Sequence, residues 1–311
     1  VDNGHATGVE YRVGGEQHQA SATAEVIVSA GTMHSPAILM RSGIGPAAHL
    51  KALGIPVQCD LPGVGQNLRE HNTISVSKLV NIPTMSARLG PISMIGNLLN
   101  YLLFHKGLLT TPAVQVMAAL RTDPELVDPD IILSALPVAV TFNDKGDAVV
   151  ETRPSFSIAF HVARPQSRGE IRLRTADPLD KPVIDHRLQS AQSDVAKLVK
   201  GLNLIERLCQ APALASIITG SLKPDPTPET DEAWEAYVRQ FGSIGYHAVG
   251  TCRMGPDGDP MAVLDPRLRV RGITGLRVID ASIMPEPVSG NTNAPTIMIA
   301  ERGADIIKGH A

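Results

Sequence analysis

One turn of this chain carries a residue suited to moving a proton. Gly245-Tyr246-His247-Ala248-Val249-Gly250-Thr251 sets a histidine among glycines. Imidazole titrates near neutrality, so His247 can accept a hydroxyl proton as a general base. Taken alone, a histidine in such a turn also suits a structural role. Further along, Gly290-Asn291-Thr292-Asn293-Ala294-Pro295-Thr296 leads into Ile297-Met298-Ile299-Ala300, an apolar run that reads as a buried helix. A helix start aims unpaired N–H groups and partial positive charge at whatever lies before it. Between the two, Leu276-Arg277-Val278-Ile279-Asp280-Ala281-Ser282 is a short apolar run ending in an acid and two small residues. A base beside a polar helix start fits chemistry on an oxygen that gains or loses charge.

The elements that must position these residues can be read from pattern. Val9–Val13 and Ala22–Ser29 read as strands with Gly14-Gly15 turning between them. The second strand ends at Ser29-Ala30-Gly31, where the chain must turn sharply. Ser35-Pro36 offers a cap followed by proline at a first helical position, which predicts a helix over Ala37–Ser42. Another short helix is expected over Ala47–Leu53. In the middle, Asp130–Leu136, Ser155–Val162 and Gly169–Arg174 read as strands. From Asp194 the residues Val195, Leu198, Val199, Leu202, Ile205 and Leu208 share one helical face. A last amphipathic helix follows Thr230, with Trp234, Tyr237 and Val238 buried. The most apolar stretch, Ile95 to Leu109, is interrupted by polar residues and too short to span a bilayer, which takes about 20 apolar residues. It is expected as a buried or substrate-channel helix.

Composition narrows the class. At 311 residues and 43% hydrophobic, the chain can build a sizeable core in one or two domains. A net charge of −3 without runs of like charge gives no footprint for nucleic acid. Cys59, Cys209 and Cys252 are odd in number and far apart. They form neither a disulfide framework nor a metal site, and a reducing, cytoplasmic setting is expected. A serine hydrolase is disfavoured, because Phe241-Gly242-Ser243-Ile244-Gly245 lacks the first glycine of a nucleophile elbow and precedes the histidine directly.

The ordered motifs resemble the glucose–methanol–choline (GMC) family of flavin-dependent oxidoreductases. They are the Tyr246-His247 turn, the Asn291 turn, the run Ser29-Ala30-Gly31-Thr32-Met33-His34-Ser35-Pro36 with its continuation to Gly45, and Leu61-Pro62-Gly63-Val64-Gly65-Gln66-Asn67-Leu68-Arg69-Glu70-His71. The resemblance implies a mixed α+β and α/β fold. Residues 1–75 and 242–311 would form a partial, Rossmann-like FAD-binding domain, and 76–241 a substrate domain of antiparallel sheet backed by helices. It implies FAD-dependent oxidation of a primary alcohol to an aldehyde, by proton abstraction and hydride transfer to flavin N5. Its nearest types are choline and alcohol dehydrogenases and aryl- or furfuryl-alcohol oxidases, with oxygen or a quinone-like molecule as electron acceptor. Choline would need an anion or an aromatic cage, for which 3% aromatic residues give no support, so a neutral alcohol is expected.

By the same resemblance His247 is the base, and Asn291, which can donate and accept but not take a proton, orients the substrate oxygen. Alternatively, Asn291 or Asn293 merely caps the following helix. Ala30 and Gly31 match residues beside the ADP half of the cofactor, and Asp280 with Ala281 matches the turn against its ribityl and pyrophosphate. Thr292 and Asn293 would offer backbone contacts to the flavin ring. Glu70-His71 is a family feature with no expected catalytic part. The glycine fingerprint that opens the family, G-x-G-x-x-G, has no counterpart here. The resemblance therefore implies the C-terminal part of a longer enzyme; the alternative is a non-catalytic fragment that pairs with a separate flavin-binding piece.

Overall fold

The computed structural model describes residues 1–142 and 148–310. They form two compact units, one of Val1–His71, Arg164–Ser190 and Ile244–Ala311, the other of Asn72–Ala163 and Ala191–Ser243.

In the first unit the strand Val26–Val28 pairs in parallel with Leu276–Val278, Val28 opposite Val278. Parallel neighbours need a crossover, and the chain leaves Val28 into the helix Gly31–Arg41. That helix buries Ala37, Leu39 and Met40 in a core shared with Val28, Val278, Ile279 and Ile283. It starts well before the expected Ala37, because Gly31 at φ +79° turns the strand directly into it. Pro36 consequently lies inside the helix and not at its first position. The helix Ala47–Ala52 lies where expected.

Gly14 and Gly15, at φ +60° and +92°, turn a hairpin whose second strand is Glu16–Ser21, not Ala22–Ser29. Its residues Glu-Gln-His-Gln-Ala-Ser are exposed throughout, so no apolar alternation marks it. The final helix, Asn293–Lys308, is also less buried than its apolar run suggests. Only Ile299 and Gly303 are buried in it, while Ile297 and Met298 stay exposed. It meets the core along a narrow line where Gly303 sits on Ile279; a Cβ there would fall 2.9 Å from two Ile279 carbons.

The second unit is an antiparallel sheet in the order Ile218–Lys223, Asn72–Val80, Ser155–Val162, Ile131–Leu136, Val116–Leu120. Ile74, Val76, Ile158 and Phe160 face a core completed by helices Gln192–Cys209 and Asp231–Phe241. Thr230 caps the second of these, its Oγ1 accepting from the Ala233 N–H, and Trp234 is core. This is an α+β architecture with an antiparallel sheet backed by helices. The helix Pro91–Phe104 overturns the expectation of a buried segment: it has no buried residue, and Ile92 is 88% exposed. Its apolar residues surround the axis, but none of them joins the core of the sheet. Among the described residues no helix is long and apolar enough to cross a membrane.

Candidate active site

The site is built where the Gly31–Arg41 helix begins. Proline has no N–H, so Pro36 leaves the carbonyl four residues earlier, that of Thr32, without its helical partner. The Thr251 hydroxyl donates to that carbonyl at 2.6 Å. In return the Thr32 hydroxyl donates to the Ala248 carbonyl at 2.8 Å. The irregularity in the helix thus becomes a double attachment for the turn that carries His247.

Asp280 secures the same corner. One carboxylate oxygen accepts from the Gly31 N–H at 2.9 Å and from the Ser35 hydroxyl at 2.5 Å, while the other accepts from the Ser282 N–H at 2.8 Å. Ser35 also accepts from the Ala30 N–H at 3.0 Å. Ala30, Gly31, Asp280 and Ala281 are therefore brought together. Ser35, expected as a helix cap, instead links the strand end to the acid.

A second frame holds the His247 turn from the other direction. Arg69 and Val249 exchange backbone hydrogen bonds at 3.0 and 2.9 Å, and the Gly245 N–H donates to the His71 carbonyl at 2.9 Å. The Gly65 N–H donates to the Thr251 carbonyl at 2.8 Å. The two segments approach closely at Gly250, φ +97°, where a Cβ would lie 2.4 Å from the Asn67 carbonyl oxygen. Next to His247, Tyr246 adopts a left-handed φ of 61°.

Within this frame lies a cluster that sequence reasoning passed over. Oε1 of the buried Glu70 accepts from the His247 N–H at 2.7 Å and from the His71 N–H at 2.9 Å. The two imidazoles meet Nδ1 to Nδ1 at 2.9 Å, their planes 82° apart. Burial raises the Glu70 carboxyl to about 7, against the opposing pull of the N–H groups of His247, His71 and Gly245. Desolvation lowers the His247 pKa, which favours the neutral imidazole. The only sequence signal for the cluster was the adjacency of Glu70 and His71 within a recognised motif.

Asn291 is held differently. It is exposed, and among the described residues its side chain has no hydrogen bond to His247. Thr292 is the cap residue of the last helix but makes no side-chain capping bond, and neither asparagine caps it. The first helical bond is Thr296 N–H to the Thr292 carbonyl at 3.0 Å. Asn293 and Ala294 are exposed at the positive end of the helix. Pro295 sits where an N–H would have had no helical partner.

A family model described as GMC oxidoreductase matches residues 165–300, and a second of the same description matches residues 1–73. Over 305 residues the chain is 40% identical to choline dehydrogenase, mitochondrial, of Homo sapiens, covering 98% of this chain and 51% of that protein. It is 40% identical over 310 residues to the oxygen-dependent choline dehydrogenase of Sinorhizobium fredii, covering 99% of this chain and 56% of the relative. Among solved structures, pyridoxine 4-oxidase from Mesorbium loti superposes with a TM-score of 0.84 at 26% identity, covering 100% of this chain and 56% of that one. The chain spans about half the length of the relatives it matches.

Proposed function

The chain belongs to the GMC oxidoreductase family, and from that premise we propose that the enzyme carrying it oxidises a neutral primary alcohol to an aldehyde, with His247 as the base. FAD is the cofactor of this family, and two features of the chain fit it. The last helix opens with uncapped backbone donors, a favourable place for a ring that gains negative charge. At Gly31 an added Cβ would meet nothing within 4 Å, so the backbone there is open to close approach. Ala30, Gly31, Asp280 and Ala281 would hold the dinucleotide end, and Thr292 and Asn293 the ring. When bound, FAD supplies the hydride acceptor.

The chain's own residues do the rest. A hydroxyl proton passes to His247, which leaves an alkoxide-like oxygen from which hydride departs readily. The Asn291 amide donates to that oxygen and fixes its direction. Oxygen or a quinone-like molecule then reoxidises the enzyme. The observation that carries this reading is the clamping of a neutral, half-buried His247 by Glu70 and His71. Two named relatives are choline dehydrogenases; a neutral alcohol is favoured here because aromatic residues, which a cage for a quaternary ammonium needs, make up only 3% of the chain.

Anaerobic reduction of the flavin tests the assignment. His247→Ala should slow it at least about 100-fold, the usual contribution of a positioned base. Unchanged reduction kinetics would remove His247 from the chemistry. Asn291→Asp should slow it about tenfold, since a carboxylate beside a forming alkoxide repels it; wild-type rates there would rule out contact with the oxygen.

One observation favours a second reading, in which the chain holds flavin only together with a separate piece. A cavity of about 730 Å³, lined by Val9, Val26, Ile38 and Leu276 among others, lies along the parallel strand pair. Ile27 on that pair is 47% exposed. Co-expression with the candidate partner tests this: yellow colour that appears only with both pieces supports it, and a yellow chain on its own excludes it.

A further inference from the structure

The contact between His71 and His247 has a consequence for the proton. Two neutral imidazoles that meet Nδ1 to Nδ1 at 2.9 Å can place only one hydrogen between them. If His71 supplies it, His247 carries its own proton on Nε2 and can only donate from that edge. If His247 supplies it, Nε2 of His247 bears a lone pair and can accept. Only the second arrangement makes a base.

We propose that His71 is a positioning residue: it accepts the Nδ1–H of His247 and so fixes the tautomer whose Nε2 takes the substrate proton. Glu70 clamps both backbones beneath the pair. The inference rests on the reading of His247 as the base. It places an imidazole where other catalytic histidines have a carboxylate or a backbone carbonyl.

Several observations support the role. The His71 residue is fully buried, so its ring offers a fixed acceptor and not a wandering one. One oxygen, Oε1 of Glu70, receives the N–H of His71 and the N–H of His247, which ties the two main chains to a common point. The His71 carbonyl is held in turn by the Gly245 N–H at 2.9 Å. The arrangement also survives the reaction. When Nε2 accepts the proton, the substrate O–H bond breaks, an N–H bond forms, and the electron pair stays on oxygen. His247 becomes an imidazolium whose Nδ1–H still donates to His71, so the contact need not be remade.

The experiment uses the flavin-loaded enzyme carrying this chain, labelled with ¹⁵N at histidine, the His247 signals being those lost in His247→Ala. Nitrogen shifts and two-bond couplings report the tautomer without reference to turnover. The wild type should show a protonated Nδ1 and an unprotonated Nε2 on His247. His71→Leu should move His247 to the opposite tautomer or to a mixture, and His71→Gln, whose amide oxygen can accept, should restore it. Rates of flavin reduction should follow: a loss of about 10- to 100-fold in His71→Leu with little change in substrate affinity, and substantial recovery in His71→Gln. A wild-type His247 protonated on Nε2, or a tautomer unmoved in His71→Leu, overturns the proposal. Should the leucine variant fail to fold, the wild-type spectrum still decides. A tautomer as expected combined with an unimpaired His247→Ala would instead sink the assignment of the base, leaving the pairing intact.

Discussion

The turn at His247 is held by hydrogen bonds from several segments, whereas Asn291 itself lies exposed before the last helix. The His247 N–H ends on Glu70, its ring on His71, and the next residues on Arg69 and Thr32. Asn291 is exposed, and the helix after it starts with no side-chain cap. The contrast fits the roles proposed for the two side chains. A base must present one nitrogen in one tautomer and one direction, which requires preorganised partners. A helix start that faces a ligand must keep its donors unspent. The protein invests its own hydrogen bonds at the first and withholds them at the second.

The strongest way to break this comparison is to add a methyl group to each region. Gly250→Ala puts an L side chain at φ +97° and a Cβ 2.4 Å from the Asn67 carbonyl oxygen. It should cost about 2–4 kcal/mol in chemical denaturation, as overpacking and backbone strain combine. Gly290→Ala meets nothing within 4 Å, and should change stability by less than about 1 kcal/mol. Similar losses at both positions would show that the two regions are equally constrained.

A smaller effect is expected at the attachment between helix and turn. Thr251→Val keeps the shape but removes the donor to the Thr32 carbonyl, leaving a buried acceptor unpaired at a cost of about 1–3 kcal/mol. Pro36→Ala would return an N–H to that carbonyl. The cost of Thr251→Val should therefore be smaller when Pro36→Ala is already present, a coupling a double-mutant cycle resolves. Strict additivity would mean that the proline does not create the need for Thr251.

Much of this was legible in the residues. The strand Ser155–Val162 and the helix after Thr230 follow from period and cap. The glycine at the end of Val26–Val28 announced a sharp turn. Other features were hidden for physical reasons. Glu16–Ser21 is a strand on both of whose faces polar side chains meet solvent, so alternation is silent. Pro36 looked like a first helical position because the pattern could not show that a threonine far along the chain would satisfy the carbonyl it frees. Pro91–Phe104 was misread because hydropathy states what a segment favours, not which surface of the fold receives it. Least visible was the pairing of His71 with His247, which are 176 positions apart. No local pattern encodes a contact made by two loops closing on each other.

The subtlest test concerns Glu70, which belongs wholly to the well-held region. Its carboxyl is raised to about 7 by burial, from 4.5 in the exposed chain. The native state therefore keeps this proton over a range in which the unfolded state has released it. Between those values the unfolded chain binds fewer protons, so the contribution of Glu70 makes stability fall as pH rises, and becomes constant above about 7. Glu70→Gln retains a carbonyl oxygen for the N–H groups of His71 and His247 but carries no charge to desolvate. Its Tm relative to wild type should rise from pH 5 to pH 8, most of the change falling below about 7. Asn291→Ala, in the loosely held region, should give a difference from wild type that does not vary with pH. If the Glu70→Gln and wild-type Tm curves run parallel across that range, the carboxyl ionises as freely as in an exposed chain, and the clamp beneath the two imidazoles is not the buried, proton-holding group its surroundings imply.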